Sequence, residues 1–115
     1  GALPEGARFT DYLTHGAPRQ LNMARRFVNE RSLETVIRLQ PIARDLGIGV
    51  AVLALAWSRQ HDFVASTIVG ATSVAQLEET LPAAGVVLDA STLARIDAID
   101  AAIPCPMTED GLRRL

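Results

Sequence analysis

The stretch from Ser66 to Thr80 is the part of the sequence whose residue types and spacing best suit ligand binding. It contains Ser-Thr-Ile-Val-Gly-Ala-Thr-Ser-Val-Ala-Gln-Leu-Glu-Glu-Thr. The β-branched residues predict a buried strand and the glycine allows a close turn, while Ser73 with Gln76 has the spacing of a capping box. The first amides of a helix lack partners within it and point outward with the positive end of its dipole. Such a unit can hold a phosphate, and it is also an ordinary capped helix of α/β proteins.

The elements that must position this stretch are predicted from hydrophobic periodicity and from helix end signals. The chain is predicted to be mostly helical, with one or two short strands. The predicted segments are a long loop over 1–31 with a short helix over 19–28, helices within 32–61, a strand over 63–69, a helix over 73–81, a last helix over 91–103 and a polar tail over 104–115.

Several single residues refine these boundaries. Ser32 is a predicted N-cap, and Asp89 or Ser91 is predicted to cap the last helix. Pro41 removes an amide donor, so we expect a kink or a break there. Gly47 is predicted to close the preceding helix in the left-handed conformation. The helix over 50–61 is apolar nearly all round, which predicts burial on most sides.

Composition bounds the class of protein. The 115 residues are 49% hydrophobic with a net charge of −2, which predicts one domain with a core and disfavours disorder or a nucleic-acid partner. No apolar run reaches the ~18–20 residues of a membrane span. The single cysteine, Cys105, excludes an internal disulfide and favours a reducing cytoplasm. All 11 basic residues are arginine, so any mechanism that needs a lysine cannot be completed within this chain.

The other chemically versatile side chains have structural interpretations. We expect no metal site. His15 and His61 are expected to be inert, Trp57 to lie in the core, Cys105 to be an unreactive thiol, and the arginines at 113 and 114 to be solvated.

Four separated blocks of the sequence resemble one protein family. The blocks LGIGVAVLALAW, VASTIVGATSVAQLEE and LDASTLARIDAID, preceded by LPEGARF, resemble the C-terminal part of an aldo-keto reductase of the bacterial, voltage-channel β-subunit-like branch. The resemblance implies an α/β fold, namely the C-terminal part of a (β/α)8 TIM barrel. It also implies hydride transfer between NADP(H) and an aldehyde or ketone. Residues 1–31 would be the loop after strand seven, and 63–69 would be strand eight.

The resemblance also implies which residues contact NADP(H). Gly70, Ala71 and Thr72 would line the pocket for the adenosine 2′-phosphate. Gln76 stands where many members place an arginine or glutamine against that phosphate. Because glutamine lacks the guanidinium charge, a strong preference for NADP over NAD is not implied.

Glu79 and Thr80 stand where the family has Glu-Asn, which contacts the adenine. Thr80 departs from this pattern, because a hydroxyl cannot match the paired donor and acceptor of an asparagine amide. Arg8 would lie in a loop that folds over the cofactor.

The catalytic residues that the resemblance implies are not in this chain. The family uses a tyrosine as general acid, tuned by a lysine, an aspartate and a histidine, all from the first half of the barrel. Here there is no lysine, and the only tyrosine, Tyr12, lies in the late loop. A full barrel needs ~250 residues. Because the chain begins at Gly1 without a methionine, we expect a fragment that is inactive alone and requires the remainder of the barrel and a small carbonyl substrate.

A second interpretation is an autonomous helical interaction module without catalytic activity. The run IARDLGIGVAVLALAW has the outline of a helix-turn-helix. A recognition helix must present Arg, Lys, Asn or Gln to the groove, and residues 50–57 contain none. The apolar helix of such a module would need a partner, either another copy of the chain or the missing half of the barrel.

Overall fold

The computed structural model describes residue 5 and residues 7–104. This part of the chain contains six α-helices and one 3₁₀ helix, and no strand. The α-helices are α1 Arg8–His15, α2 Pro18–Phe27, α3 Glu30–Asp45, α4 Val50–Arg59, α5 Val74–Thr80 and α6 Ala90–Ala102, and the 3₁₀ helix is Leu81–Gly85. The chain forms two compact units, one of Gly1–Thr35 with Ile103–Leu115 and the other of Val36–Ala102.

The first unit contains two short helices where the sequence predicted a mostly irregular segment. The expected short helix over 19–28 is present as α2, whereas the loop prediction over 1–31 is wrong at α1. Gly16 follows the end of α1 and Pro18 is the first residue of α2, so the glycine and proline that suggested a loop mark the helix boundaries. The helices also contact each other through the rings of Phe9 and Phe27, which stack with their centroids 5.3 Å apart. This aromatic contact joins residues distant in sequence, so local patterns did not reveal it.

Helix α3 begins earlier than Ser32. The Ser32 amide donates to Asn29 Oδ1 (2.9 Å), and the Asn29 amide donates to Ser32 Oγ (3.1 Å). Asn29 therefore caps the helix reciprocally with Ser32, which corrects the predicted N-cap.

Pro41 lies inside α3 and does not break it. The neighbouring Ile42 and Ala43 are each only 2% exposed, and their burial offsets the hydrogen bond that the proline removes. The helix ends at Asp45, and Gly47, two residues further on, has a φ of +68°, the left-handed conformation that was predicted for it. The Gly47 and Ile48 amides donate to the carbonyls of Arg44 and Ala43, which is the hydrogen-bond pattern of a Schellman motif.

Helix α4 supplies much of the core of the second unit. It buries Val52, Leu53 and Ala56, while Ala51 and Ala54 are exposed and Trp57 is 37% exposed. The predictions of burial on most sides and of a core position for Trp57 are therefore wrong for this chain, because the described neighbours of α4 cover one face only. The core cluster consists of Ile42, Ala43, Leu53, Ala56, Leu88 and Ile96.

The predicted strand over 63–69 is absent. None of these residues lies in a strand or a helix, and Phe63 and Ile68 are 86% and 95% exposed. A strand exists only when a neighbouring strand pairs with its backbone, and no other strand occurs in the described residues. The β-branched composition therefore indicated a preference for strand structure that the described residues do not satisfy among themselves.

The last two helices match their predicted positions more closely. Ser73 caps α5, and Asp89 caps α6 by accepting a hydrogen bond from the Thr92 amide (2.7 Å). The predicted tail over 104–115 is described only at Pro104, so Cys105 and the arginines at 113 and 114 lie outside the described residues.

Within the described residues, no single helix is both long and apolar enough to cross a membrane. The pair Glu30–Asp45 and Val50–Arg59 meets these criteria when taken together, with a bend of 88° between its members.

Candidate functional site

The candidate site begins where an irregular segment enters α5. Ser73 is in an extended conformation, and its Oγ accepts a hydrogen bond from the Gln76 amide (3.3 Å). This bond satisfies one of the amides that a helix start leaves without a partner. The predicted helix start at Ser73 is therefore confirmed.

The side chain of Gln76 is held by Thr72. Gln76 Oε1 accepts hydrogen bonds from the Thr72 amide (2.9 Å) and from the Thr72 hydroxyl (3.0 Å). A backbone N–H can only donate, so the atom that faces it must be the amide oxygen, and this fixes the orientation of the Gln76 amide. Nε2 then carries two N–H donors that have no partner among the described residues. Gln76 is exposed, so these donors are available to a ligand.

Gln76 also resembles a capping-box residue, with one difference. In a capping box its side chain would accept from the amide of the N-cap, here Ser73. It accepts instead from Thr72, one residue earlier. Gln76 can therefore serve both as a structural residue at the helix start and as a ligand-binding residue. Its hydrogen bonds to Thr72 use only the amide oxygen, so the amide nitrogen can still donate to a ligand.

Thr80 lies one turn beyond Gln76 on the same side of α5. Its hydroxyl donates to the carbonyl of Gln76 (2.9 Å) and lies 3.3 Å from that of Leu77. Because a hydroxyl has one proton, Thr80 can offer a ligand only its oxygen lone pairs. Thr72, Gln76 and Thr80 thus form a hydrogen-bonded row that begins just before α5 and continues along it.

The carboxylate of Glu79 lies beside the start of α4. Its Oε1 is 3.6 Å from the position that a Cβ atom of residue 49 would occupy. Within the described residues Glu79 makes no hydrogen bond or ion pair. The structure therefore brings Thr72, Gln76 and Thr80 together, and it places the Glu79 carboxylate toward Gly49.

Gly70 and Ala71 lie in the irregular segment before α5, and both are exposed. No heavy atom comes within 4 Å of a Cβ built on Gly70. Neither residue is enclosed by the described part of the chain, so the surface around them is open to a ligand.

Two polar contacts that the sequence did not predict connect this region to α4. Ser58 Oγ and Thr67 Oγ1 are 3.0 Å apart, and Arg59 donates to the Ala83 carbonyl (3.0 Å). Both pairs join residues at least nine positions apart, and no sequence spacing signals them. They attach the segment before α5 and the 3₁₀ helix after it to the same helix.

The remaining candidate side chains show no reactive arrangement. The rings of Trp57 and His61 meet edge-on, with centroids 4.5 Å apart, and Phe63 stacks on His61 at 5.1 Å. Tyr12 lies in α1 and receives a hydrogen bond from Arg8 Nε (3.4 Å). In the part of the chain that the structure describes, no three His, Cys, Asp or Glu residues are grouped to hold a metal ion.

Comparison with known proteins identifies the family. Residues 1–101 match the sequence profile described as the Aldo/keto reductase family. The match covers the described helices up to the last turn of α6. The chain belongs to the aldo/keto reductase family, which confirms the resemblance noted from its sequence blocks.

Individual relatives agree with this assignment. The chain is 36% identical over 87 residues to the Probable voltage-gated potassium channel subunit beta of Arabidopsis thaliana, covering 76% of this chain and 25% of that protein. It is 34% identical over 99 residues to Protein tas of Escherichia coli, covering 86% of this chain and 26% of that protein. The chain therefore spans about a quarter of the length of these curated relatives.

Proposed function

We propose that this chain is the cofactor-binding C-terminal part of an NADP(H)-dependent oxidoreductase that reduces aldehydes or ketones to alcohols in the cytoplasm. Membership of the aldo/keto reductase family over residues 1–101 carries the proposal. The family fold is a (β/α)8 barrel, of which this chain supplies the late loop, the last strand and the last helices. The catalytic tyrosine, lysine, aspartate and histidine lie outside this chain.

The row along α5 is suited to the adenosine 2′-phosphate of NADP(H). Gln76 Nε2 presents two donors whose direction is fixed by the bonds from Thr72 to Gln76 Oε1. Phosphate oxygens are acceptors, so the two groups are complementary. Gly70, Ala71 and Thr72 line the same pocket. An uncharged amide discriminates less strongly than a guanidinium, so NADH binding is also expected.

Glu79 and Thr80 border the adenine in this proposal. The Thr80 hydroxyl donates to the Gln76 carbonyl, so it can accept from the adenine amino group but cannot donate to a ring nitrogen. This side of the pocket therefore supplies fewer directional contacts than the Glu-Asn pair of the family.

The exposed segment over 63–69 is the place where the remainder of the barrel joins this chain. Its β-branched residues Val64, Thr67, Ile68 and Val69 suit a strand, and Ile68 is 95% exposed. Pairing with the strands of the missing part would satisfy its backbone and cover Phe63 and Ile68. A partner of this kind explains why an apolar segment lies on the surface of the chain.

When bound, NADPH supplies the hydride that reduces the carbonyl carbon. The contribution of this chain is to hold the adenosine end of the cofactor, with Gln76 on the phosphate. Because this chain contains no lysine, it cannot supply the cation that tunes the family's tyrosine acid.

The proposal is tested by the affinities of the full-length protein for NADPH and NADH. Gln76→Glu replaces two donors with a carboxylate that repels the 2′-phosphate, so NADPH binding should weaken on the order of tenfold or more, with little change for NADH. Glu78→Gln, on the same helix, is the matched control and should leave both affinities unchanged. Equal losses for the two cofactors in Gln76→Glu would contradict the proposed phosphate contact.

A further inference from the structure

Helix α5 is not held in place by a buried face of its own. It has seven residues and buries none of them, and its apolar residues Val74 and Leu77 are 72% and 40% exposed. A helix of this length is not stable in isolation, because most helical stability in proteins comes from the packing of an apolar face. The position of the row along α5, which Thr72, Gln76 and Thr80 form, is therefore set largely by the segments on either side of the helix.

Both of these segments are attached to the last turn of α4. Before α5, the hydroxyl oxygens of Ser58 and Thr67 lie at hydrogen-bond distance, 3.0 Å apart. After α5, Arg59 Nη1 donates to the carbonyl of Ala83 in the 3₁₀ helix, also at 3.0 Å. Both contacts are partly buried, which strengthens a hydrogen bond relative to one in water. Because Ser58 and Arg59 are adjacent, one turn of α4 holds the chain on both sides of α5.

The helix that carries these two attachments is itself anchored in the core. Its buried residues are Val52, Leu53 and Ala56. Ala83, which Arg59 binds, is only 3% exposed, and its carbonyl also accepts a hydrogen bond from the Val86 amide (3.3 Å). The two attachments therefore connect the exposed helix α5 to a helix whose own position is fixed by burial.

We propose that Ser58 and Arg59 are positioning residues, which orient the row along α5 for the cofactor. Arg59 provides the stronger attachment, because a hydrogen bond from a charged guanidinium is about twice as strong as one between neutral groups. The effect on cofactor binding rests on the proposed function, whereas the attachment of α5 to α4 rests on the two hydrogen bonds alone.

Hydrogen exchange of the full-length protein without cofactor tests the attachment. Arg59→Met keeps the length of the side chain and removes its donors, so the amides of α5 should exchange about 5- to 30-fold faster. Arg59→Lys keeps a charged donor and should restore most of the protection. Ser58→Ala should act in the same direction as Arg59→Met. Arg44→Met removes a positive charge at an exposed position of α3 and is the control, which should leave the exchange of α5 unchanged. Exchange as slow as in the original protein would overturn the role of the residue that was substituted.

Cofactor affinity tests whether the attachment orients the row. Arg59→Met should weaken NADPH binding roughly 3- to 10-fold and NADH binding less, because the donors of Gln76 face the 2′-phosphate, which NADH lacks. In a Gln76→Ala background, Arg59→Met should no longer change the ratio of the two affinities. A general loss of stability, measured well below the Tm of every variant, leaves this ratio unchanged.

The two measurements together separate the positioning role from the proposed function. If Gln76→Ala changes the ratio of the NADPH and NADH affinities but Arg59→Met does not, the positioning role is wrong. If Gln76→Ala leaves the ratio unchanged while Arg59→Met accelerates the exchange of α5, the proposed phosphate contact is wrong and the attachment of α5 to α4 stands.

Discussion

The side-chain amide of Gln60 pairs with both backbone polar groups of Leu88. Gln60 Nε2 donates to the Leu88 carbonyl at 2.5 Å, and Gln60 Oε1 accepts from the Leu88 amide at 2.7 Å. Leu88 is only 2% exposed and belongs to the core cluster. The described residues contain no strand, and these two hydrogen bonds connect the end of α4 to the segment before α6 in the way that a backbone pair connects two strands of a sheet. They therefore fix the backbone on which α6 begins.

Removing this pair should destabilise the second unit. Gln60→Ala leaves the buried amide and carbonyl of Leu88 without partners, which should lower the free energy of unfolding by about 1–3 kcal/mol. Gln60→Glu should lower it further, because a carboxylate cannot donate to the carbonyl. Urea denaturation of the full-length protein measures both effects. Gln40→Ala, at an exposed position of α3, is the control, and an equal loss there would show that the Leu88 contacts are not responsible.

A second prediction concerns the stability of the end of α3, where Gly47 has a left-handed backbone conformation. A Cβ atom at φ +68° is strained, so Gly47→Ala should destabilise the end of α3 by roughly 1–2 kcal/mol. The matched control is Gly85→Ala, because no heavy atom lies within 4 Å of its added Cβ and its φ is not left-handed. That change should stay within about 0.5 kcal/mol of the original protein. Thermal unfolding compares the two, and equal effects would rule out the conformational explanation.

These residues show which parts of the structure the sequence could predict. Ser73, Asp89 and Gly47 act on backbone groups within five residues, so local spacing predicted all three. Gln60 acts on a residue 28 positions away, and no local pattern indicates such a pair. The predicted strand over 63–69 depends on neighbours that the described chain does not contain. For the candidate site, Thr72, Gln76 and Thr80 were named from the family resemblance. The hydrogen bonds among them were not predicted, and neither was the approach of Glu79 to Gly49.

The thermal stability of the protein should depend on pH in the acidic range, because the carboxylate of Asp89 caps α6. Hydrogen bonds from the Thr92 amide and then from its hydroxyl lower the pKa of Asp89 below its ordinary value. A lowered pKa means that the carboxylate stabilises the fold at pH values above the unfolded pKa of about 3.9, and that this stabilisation is lost as the pH falls through the lower folded value. Asp89→Asn keeps an acceptor but cannot titrate. The Tm difference between the original protein and this variant should therefore shrink below about pH 4. Parallel Tm curves from pH 7 to pH 2 would contradict this explanation.

The only tyrosine of this chain should be dispensable for catalysis. Tyr12 lies in α1 and receives its hydrogen bond from Arg8, and this chain has no lysine to complete the family's catalytic set. Tyr12→Phe in the full-length protein should therefore leave kcat for the proposed aldehyde reduction unchanged, as measured by NADPH absorbance. On the proposed function, the groups that protonate the carbonyl oxygen lie outside this chain, so the purified 115-residue chain should give no turnover under the same conditions. Turnover by that chain, or a large loss of kcat in Tyr12→Phe, would show that the catalytic acid lies within these residues.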